Sequence, residues 1–296
     1  MRREEPHTSK GAKGRAASSS GATDTENIIE LRSTGRTRAS APTGFVEELR
    51  DEGIELEPGK MLSSTFTVKS GDITRTKAFR ERRISIQDEG SQLVALLVGE
   101  GHNILDCCAA PGGKTRILAE RNPDSTIVAM ELHPQRAALL RKLVLAENVR
   151  VLAADVRKMP ITASFDRVLV DAPCSGTGTL ARNPEIKWRL KPEDLLRLQE
   201  YQVEILRAAM KQVAPGGRIV YSTCSLEPEE NEDVIEKALA GNSSFRVVNC
   251  REEIERLSVS GEVLWDGDSL VCGPYLRTIP GVHPCDGFFA AIMGRE

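Results

Sequence analysis

Aromatic residues are scarce in this sequence, at 4% of 296 residues, so aliphatic side chains must fill most of the core. No stretch of about 18 apolar residues occurs, so the sequence predicts no membrane-spanning helix. No apolar segment near the N-terminus indicates a secretory signal, and we expect a cytoplasmic protein. A net charge of −3 argues against a surface that coats polyanions generally, although it permits a local basic groove.

Closely spaced metal ligands are also lacking. The chain has seven cysteines and four histidines, but it contains no C-x-x-C and its histidines do not cluster near the cysteines. Zinc ligands usually come in closely spaced pairs, so the sequence predicts no metal site. In a cytoplasmic protein the cysteines are then either buried small hydrophobic residues or reactive thiols. For a single cysteine considered alone, burial is the more frequent role.

Composition and periodicity divide the chain into three predicted regions. Residues 1–28 are polar and of low complexity, so we interpret them as a disordered tail. Residues 29–84 predict a small α+β domain, whose basic end from Lys77 to Arg83 suits either nucleic-acid contact or a solvated face. Residues 85–296 alternate strand and helix patterns, with helices over 134–147 and 192–213. This alternation predicts an α/β domain with a mostly parallel sheet and helices on both faces.

A turn of small residues follows the first predicted strand of that domain, Ile104-Leu105. Residues 106–115 read Asp-Cys-Cys-Ala-Ala-Pro-Gly-Gly-Lys-Thr, which ends like a phosphate-binding loop. Cys108 stands where that loop requires its first glycine, and no G-x-G-x-x-G pattern is present. The turn therefore predicts a cleft where the backbone closely approaches an extended ligand. The candidate contact residues are Cys108, Ala109, Ala110, Pro111, Gly112, Gly113 and Lys114.

Carboxylates follow the ends of successive predicted strands. Asp106 and Glu131 follow the first two strands, and Asp155 follows the third. A carboxylate after the second strand can bind both hydroxyls of a ribose, and Asp155 would lie near an adenine edge. One such residue is unremarkable, whereas three behind a glycine turn favour a nucleoside cofactor. Because the phosphate loop is incomplete, S-adenosylmethionine fits this pattern, since it carries adenine and ribose but no phosphate.

Two cysteines follow later strands. Cys224 comes after the apolar run Ile219-Val220-Tyr221, and Cys174 lies in a Pro/Gly-rich loop after a strand that Asp171 closes. Parallel strands end at the same edge of a sheet, so we expect Asp171 and both thiols to share one site. Our hypothesis is that Cys224 is a nucleophile. The acidic residues 227–233 predict the start of the next helix rather than a metal site.

A basic segment with one aromatic residue follows the Cys174 loop. Residues 182–189 read Arg-Asn-Pro-Glu-Ile-Lys-Trp-Arg. Cationic side chains can contact phosphates, and an indole ring can stack on a base. The candidate RNA contacts are Arg182, Lys187, Trp188 and Arg189.

Taken together, these motifs resemble the RNA (cytosine-5)-methyltransferase family of the Sun/Nop type, and in particular its bacterial small-subunit ribosomal RNA methyltransferases of the B type. The resemblance runs from about residue 85 to the end of the chain. It rests on a set of motifs in the family's order: residues 106–115, 171–176, 182–189, 223–231, 280–281 and 286–289. The resemblance implies a Rossmann-like methyltransferase sheet, S-adenosylmethionine as cofactor, and a cytosine in structured RNA as target.

The resemblance also implies roles for individual residues. Cys224 matches the family's nucleophile, and Cys174 matches the cysteine that assists release of the product. Asp171 would hold the target base and, with the glycine turn, Glu131 and Asp155, line the cofactor site. Arg136 falls at a position that often assists cofactor binding. The family's usual aspartate is replaced by Glu131, whose longer side chain should still reach a ribose.

Other functions remain open at this point. A methyltransferase of DNA or protein is one alternative, and a catalytically weak RNA-binding ribosome assembly factor is another. Ribosomal RNA is the favoured substrate, and transfer RNA is the second candidate. No all-helical RNA-binding domain of the kind carried by bacterial relatives is apparent before residue 85. We expect a monomer with no membrane partner.

Overall fold

The computed structural model describes residues 27–31, 43–161 and 163–296. The predicted tail lies outside these residues except for Asn27 and Ile28, which begin a strand. An N-terminal unit contains strands β1 (Asn27–Leu31), β2 (Glu55–Pro58), β3 (Thr65–Ser70) and β4 (Ile84–Ile86), with helices α1 (Thr43–Asp51) and α2 (Lys77–Arg80). Its strands form a sheet in the order β2-β3-β1-β4, within the described ranges. Helix α1 packs on it through Phe45 and Leu49, which one helical turn places on the same face.

The larger unit follows from residue 89. Its strands are β5 (Asn103–Asp106), β6 (Thr126–Glu131), β7 (Val149–Ala153), β8 (Phe165–Asp171), β9 (Val213–Thr223), β10 (Phe245–Val248), β11 (Val271–Cys272), β12 (Tyr275–Arg277) and β13 (Phe289–Arg295). Its helices are α3 (Glu89–Leu97), α4 (Gly113–Arg121), α5 (Pro134–Leu143), α6 (Ile186–Arg189), α7 (Pro192–Met210), α8 (Glu232–Leu239) and α9 (Cys250–Val259).

A single large sheet organises this unit. Over the part of the chain that is described, its order is β11-β12-β13-β9-β8-β5-β6-β7, with β10 also paired to β13. Strands β5 to β9 pair in parallel with one another, and β13 runs antiparallel to β9. The two main apolar clusters lie on opposite faces of the sheet, because neighbouring strand residues such as Ile104 and Leu105 belong to different clusters. The predicted mostly parallel, Rossmann-like sheet is therefore confirmed, and its strand order reverses between β5 and β8, where ligands bind in such folds.

The end of the long helix differs from the sequence prediction. Helix α7 ends at Met210 rather than Val213, because Val213 pairs with Phe165 and already belongs to β9. Gly216 lies within the β9 range with a φ of 72°, in the left-handed region that favours glycine. Tertiary pairing thus overrides a helical pattern that continues to Val213.

Buried polar contacts join the two units. The Oε1 atom of Glu89, at the start of α3, accepts hydrogen bonds from the backbone of Met61 at 3.1 Å and of Leu62 at 2.9 Å. The hydroxyl of Thr65 donates to the same oxygen at 2.5 Å. A buried carboxylate needs such donors, so these bonds hold the N-terminal unit against α3. Among the described helices, none is long and apolar enough to cross a membrane.

Candidate active site

Five polar residues lie at the carboxyl edge of the parallel strands. Asp106, Glu131 and Asp171 close β5, β6 and β8, Asp155 follows β7, and Cys224 follows β9. The pairing of these strands in parallel register places all five at one edge of the sheet. The structure therefore brings together the strand-end residues that the sequence singled out.

Two neighbouring cavities open at this edge. The larger, of ≈330 Å³, is lined by Glu131, Asp155, Asp171, Cys174 and Cys224, among others. The smaller, of ≈150 Å³, is lined by the turn from Cys108 to Lys114 and by residues 86, 87 and 91. Because Asp171 lines both cavities, the thiols and the glycine turn face adjoining parts of one cleft.

The two thiols are in direct contact. The Sγ atoms of Cys174 and Cys224 lie 3.4 Å apart. The hydrogen bond with Cys174 is the main cause that lowers the pKa of Cys224, and Lys114 lowers it further, while burial and Asp171 oppose them. The same hydrogen bond, together with burial, raises the pKa of Cys174 well above its ordinary value. The pair therefore favours a thiolate at Cys224 and a protonated thiol at Cys174.

Lys114 and Asp171 form a polar network beside this pair. The Nζ atom of Lys114 donates to Asp171 Oδ2 at 2.7 Å and to Ser91 Oγ at 2.8 Å. The hydroxyl of Ser222 donates to Asp171 Oδ1 at 2.8 Å. Both oxygens of Asp171 are thus engaged, which fixes its orientation toward the cleft.

Asp106 contributes a buried carboxyl group to the smaller cavity. Burial raises the pKa of Asp106 to about 7, with Asp171 acting in the same direction and a hydrogen bond from Thr115 opposing it. Thr115 Oγ1 donates to Asp106 Oδ2 at 2.7 Å, whereas Oδ1 has no hydrogen-bond partner among the described residues. Gln87 Oε1, which also lines this cavity, is likewise without a partner there. These two acceptors suit a ligand that donates hydrogen bonds.

Glu131 and Arg136 lie on the other side of the glycine turn. Glu131 is buried, and its Oε1 accepts a hydrogen bond from the His133 backbone at 2.9 Å. Its Oε2 lies 3.5 Å from Arg136 Nη1, and Arg136 also donates to the Ala110 carbonyl at 2.9 Å. Arg136 therefore links the carboxylate that follows β6 to the turn that follows β5.

Asp155 has a local partner. It caps the short 3₁₀ turn of residues 156–158 by accepting from the Arg157 backbone at 3.0 Å, and it also pairs with the Arg157 guanidinium at 2.7 Å. The hydrogen bond with the Arg157 side chain is the main cause that lowers the pKa of Asp155. Tyr201, whose ring lies under Arg157 at 4.6 Å, lines the same cavity. The sequence offered no signal for Tyr201, because α7 brings it from a distant part of the chain.

Backbone conformation and close neighbours both favour glycine in the turn. Gly112 has a φ of 118°, and a Cβ added there would lie 2.6 Å from Val144 Cγ2. A Cβ on Gly113 would lie 2.7 Å from Gln87 Oε1. The positive φ of Gly112 disfavours any L side chain, and a Cβ at Gly113 would require the end of the Gln87 side chain to move, so glycine lets the backbone of the turn stay close to its neighbours and to the cavity.

The candidate RNA contacts fall into two groups. Arg182 is ion-paired, with its guanidinium 2.6 Å from Asp88 Oδ2 and 3.3 Å from Asp286 Oδ2, while its side chain stays 32% exposed. Lys187, Trp188 and Arg189 form the short helix α6, which buries none of its residues. Trp188 is 88% exposed. The structure therefore engages Arg182 with two buried aspartates at the surface, and it leaves the other three side chains without such partners on exposed α6.

Several residues of the site were given no individual role in the sequence analysis. Ser222 lies opposite Asp171 in the parallel register, so an alignment of the two predicted strands would have found it. Ser91 reaches the site from α3, and buried Glu230 reaches it from beyond Cys224. Glu230 falls within the motif of residues 223–231, but its partner Ser175 lies 55 residues away, and Lys114 lies 23 residues from Ser91, so the local pattern gives neither residue its place in the site.

The sequence of this chain resembles known proteins over most of its length. The family model described as "16S rRNA methyltransferase RsmB/F" matches residues 93–294. A ribosomal RNA small subunit methyltransferase B of Vibrio cholerae is 34% identical over 256 residues, which cover 84% of this chain and 55% of that protein. The protein of the same name from Vibrio vulnificus is 32% identical over 263 residues, covering 83% of this chain and 57% of that protein. The chain thus spans a little over half the length of these relatives.

Solved structures show the same fold. A methyltransferase homologue from Pyrococcus horikoshii superimposes with a TM-score of 0.71 at 26% identity, over 92% of this chain and 87% of that one. NSun6 from Pyrococcus horikoshii, whose structure was determined with SFG, gives a TM-score of 0.73 at 18% identity, over 91% of this chain and 90% of that one. The second likeness concerns the fold alone.

Proposed function

The chain belongs to the 16S rRNA methyltransferase RsmB/F family, and from this premise we propose that it methylates carbon 5 of a cytosine in RNA through a covalent cysteine–cytosine intermediate. Small-subunit ribosomal RNA is the favoured substrate because both relatives described above are named as methyltransferases of that RNA. The observation that carries the chemical part of the proposal is the contact between Cys174 and Cys224, at 3.4 Å, inside the cavity that adjoins the glycine turn.

S-adenosylmethionine is the cofactor of this methyltransferase family, and the residues of the cleft fit it. Buried Glu131 suits a ribose, and the turn around Gly112 lets the backbone approach an extended ligand. The acceptors of Asp106 and Gln87 that lack partners in the described chain suit an amino group. When bound, the cofactor supplies an electrophilic methyl group on a sulfonium, and no phosphate has to be accommodated.

Cys224 would act as the nucleophile. Carbon 5 of cytosine is a weak nucleophile until the aromatic ring is disrupted. Addition of the Cys224 thiolate to carbon 6 forms a C–S bond and moves the electron pair of the 5,6 double bond into an enamine, which makes carbon 5 nucleophilic. The lowered pKa of Cys224 supports this role, because the thiolate is the attacking form.

Asp171 and Cys174 would assist addition and release. Asp171, held by Lys114 and Ser222, can accept a hydrogen bond from the exocyclic amine of cytosine, and also from ring nitrogen 3 once that nitrogen has taken up a proton during addition. Once a base has removed the proton from methylated carbon 5, the C–S bond breaks and the double bond reforms. Cys174, which contacts the departing sulfur, would stabilise it as a thiolate through its S–H group.

Surface residues near the cleft would contact the RNA. Helix α6 carries Lys187, Trp188 and Arg189 and follows the Cys174 loop in the chain. Its first residue, Ile186, lies close to Gly176 of that loop. An exposed indole between two cations suits a stacked base and its phosphates. We propose that α6, together with the N-terminal unit of residues 27–86, positions the RNA beside the thiols. The target cytosine has to be unpaired or turned out of its stack for Cys224 to reach carbon 6.

The test compares single cysteine variants. Cys224→Ala should abolish methyl transfer, measured with labelled cofactor and protein-free ribosomal RNA, while leaving cofactor binding intact. Cys174→Ala should accumulate a covalent protein–RNA adduct that survives denaturing electrophoresis. Cys272→Ala is the control, since that thiol is exposed and lies outside the cleft. Adduct accumulation in Cys224→Ala instead of Cys174→Ala would show that the two roles are exchanged.

Substrate choice needs its own measurement. Small-subunit ribosomal RNA and transfer RNA are offered separately, and 5-methylcytosine is mapped in each. Methylation of the ribosomal RNA alone is the expected result. Methylation confined to transfer RNA would contradict the substrate assignment while leaving the chemistry in place.

A further inference from the structure

Glu230 is a buried carboxylate that binds the loop carrying Cys174. It is fully buried, and it lies six residues beyond Cys224 in a 3₁₀ turn, Pro228–Glu230. Its Oε1 accepts from the Ser175 backbone at 2.9 Å, and its Oε2 accepts from the Ser175 hydroxyl. A carboxylate buried to this extent is stable only with such donors, so these bonds tie the segment after Cys224 to the residue next to Cys174.

Gln202 extends this attachment to the other side of Cys174. Its amide nitrogen donates to Glu230 Oε1 at 2.9 Å and to the Pro173 carbonyl at 2.8 Å. The backbone is therefore held at Pro173 and at Ser175, on both sides of Cys174, by one carboxylate and one amide. The backbone carbonyl of Glu230 is itself fixed by the Tyr221 hydroxyl at 2.7 Å. The position of Cys174 relative to the end of β9 thus depends on Glu230.

The charges around the two thiols are also arranged unequally. The positive charge of Lys114 lowers the pKa of Cys224 and so favours its thiolate. The negative charge of Glu230 lies on the side of Cys174 and contributes, after the thiol pairing and burial, to raising the pKa of Cys174. Asp171 also lies near the pair, and its negative charge raises the pKa of Cys224 and opposes this arrangement, but it is ion-paired with Lys114 at 2.7 Å. When the pair loses one proton, these charges favour keeping the remaining proton on Cys174.

We propose that Glu230 is a positioning residue that sets the Cys174 loop against Cys224 and keeps the proton of the pair on Cys174. The importance of Glu230 for catalysis rests on the proposed function, in which Cys224 is the nucleophile. A proton held on Cys174 leaves Cys224 free to act as the attacking thiolate. No atom of Glu230 needs to touch the RNA for this role. The arrangement would determine which of two adjacent cysteines attacks.

The experiment measures which thiol reacts first. The full chain, without RNA, is treated with a limiting amount of iodoacetamide, and peptide mass spectrometry gives the ratio of label on Cys224 to label on Cys174. In the wild-type protein Cys224 should carry most of the label, because the thiolate is the reactive form. In Glu230→Gln, which keeps the shape but removes the charge, label on Cys174 should rise several-fold relative to Cys224.

Two further variants separate charge from packing. Glu230→Asp keeps the negative charge on a shorter side chain. Iodoacetamide should therefore still label mostly Cys224 in this variant, even if the Cys174 loop loosens. Glu232→Gln is the matched control, because Glu232 pairs with Arg277 rather than with the Cys174 loop. It should label like the wild-type protein. A folded Glu230→Gln with the wild-type ratio would overturn the inference.

The inference stays testable if Glu230→Gln does not fold. Preferential labelling of Cys174 in the wild-type protein would then contradict it directly. Failure of the proposed function would be a separate result. The wild-type protein would then show no methyl transfer, although iodoacetamide would still label mainly Cys224. A redistribution of label in Glu230→Gln would in that case support the role of Glu230 in the thiol pair alone.

Discussion

Gly178→Ala is the substitution whose effect on the site follows most directly from the structure. Gly178 lies in the short 3₁₀ turn Thr177–Thr179 that follows the Cys174 loop. Its backbone nitrogen donates to the Cys224 carbonyl at 2.9 Å, and its carbonyl accepts from the Gly287 nitrogen at 2.9 Å. Three segments of the chain meet at this one residue, and a side chain would separate them.

The size of the effect can be worked out from distances. A Cβ on Gly178 would lie 2.2 Å from the Gly287 carbonyl oxygen and 2.9 Å from the Cys224 carbonyl oxygen. A carbon and a carbonyl oxygen normally stay about 3.3 Å or more apart, so the backbone has to move by roughly 1 Å. Overpacking of this kind costs about 1–3 kcal/mol, and weakening two backbone hydrogen bonds adds about 0.5–1.5 kcal/mol each. We expect a loss of about 2–6 kcal/mol of unfolding free energy.

The same displacement should reduce activity. A misplacement of about 1 Å in a catalytic constellation can lower the rate by about 100-fold. The carbonyl of Cys224 is one of the atoms displaced, so the contact between the sulfurs of Cys174 and Cys224 should lengthen. The pKa of Cys224 should then rise toward its ordinary value, because the hydrogen bond that lowers it is weakened.

Urea unfolding and the rate of iodoacetamide labelling at Cys224 measure these two effects. Gly44→Ala is the matched control, because a Cβ there meets nothing within 4 Å. That control lies near the start of α1 and should be neutral or more stable by about 0.5–1 kcal/mol. The reasoning is refuted if Gly178→Ala unfolds at the same urea concentration as Gly44→Ala and labels at the wild-type rate.

Three other predictions concern ionisation, packing and RNA contact. Because the folded pKa of Asp106 is raised to about 7, its contribution to stability is present at acid pH and is lost as pH rises through about 7. The unfolding free energy of Asp106→Asn, measured with urea and compared with that of the wild-type protein, should therefore rise by on the order of 1 kcal/mol per pH unit between about pH 5 and pH 7. Parallel curves of unfolding free energy against pH for the two proteins would contradict this prediction. Arg182→Ala should lower unfolding free energy by about 1–3 kcal/mol, since it leaves Asp88 and Asp286 without their cation, and unchanged thermal unfolding would exclude this role. Trp188→Ala should leave stability unchanged but weaken RNA binding by about 1–3 kcal/mol in a filter-binding titration, whereas wild-type affinity would argue against stacking.

Local patterns were sufficient to predict the sheet and the position of most site residues. Asp106, Glu131 and Asp171 each close an apolar strand, and parallel strands bring such residues to one edge whatever the intervening helices contain. The incomplete phosphate loop at Cys108 likewise pointed to a nucleoside ligand without phosphate. These inferences depend on strand periodicity and on the order of elements along the chain, which are properties of the sequence.

The interpretation of the basic segment shows where local patterns stop. Arg182 and Trp188 belong to one stretch with one composition, yet Arg182 pairs with Asp88 and Asp286 while Trp188 is 88% exposed. Charge and aromaticity are visible in the sequence, but the direction in which each side chain points depends on partners about a hundred residues away. Only packing distinguishes the two.

The sequence by itself therefore determined the fold class, the edge of the sheet that carries the chemistry and the family resemblance. Only the tertiary structure decided the contact of 3.4 Å between Cys174 and Cys224, and the attachment of Glu230 beside it. These contacts join loops that follow different strands. Their geometry is set by the register of β8 against β9 and by buried hydrogen bonds, neither of which leaves a periodic signal in the chain.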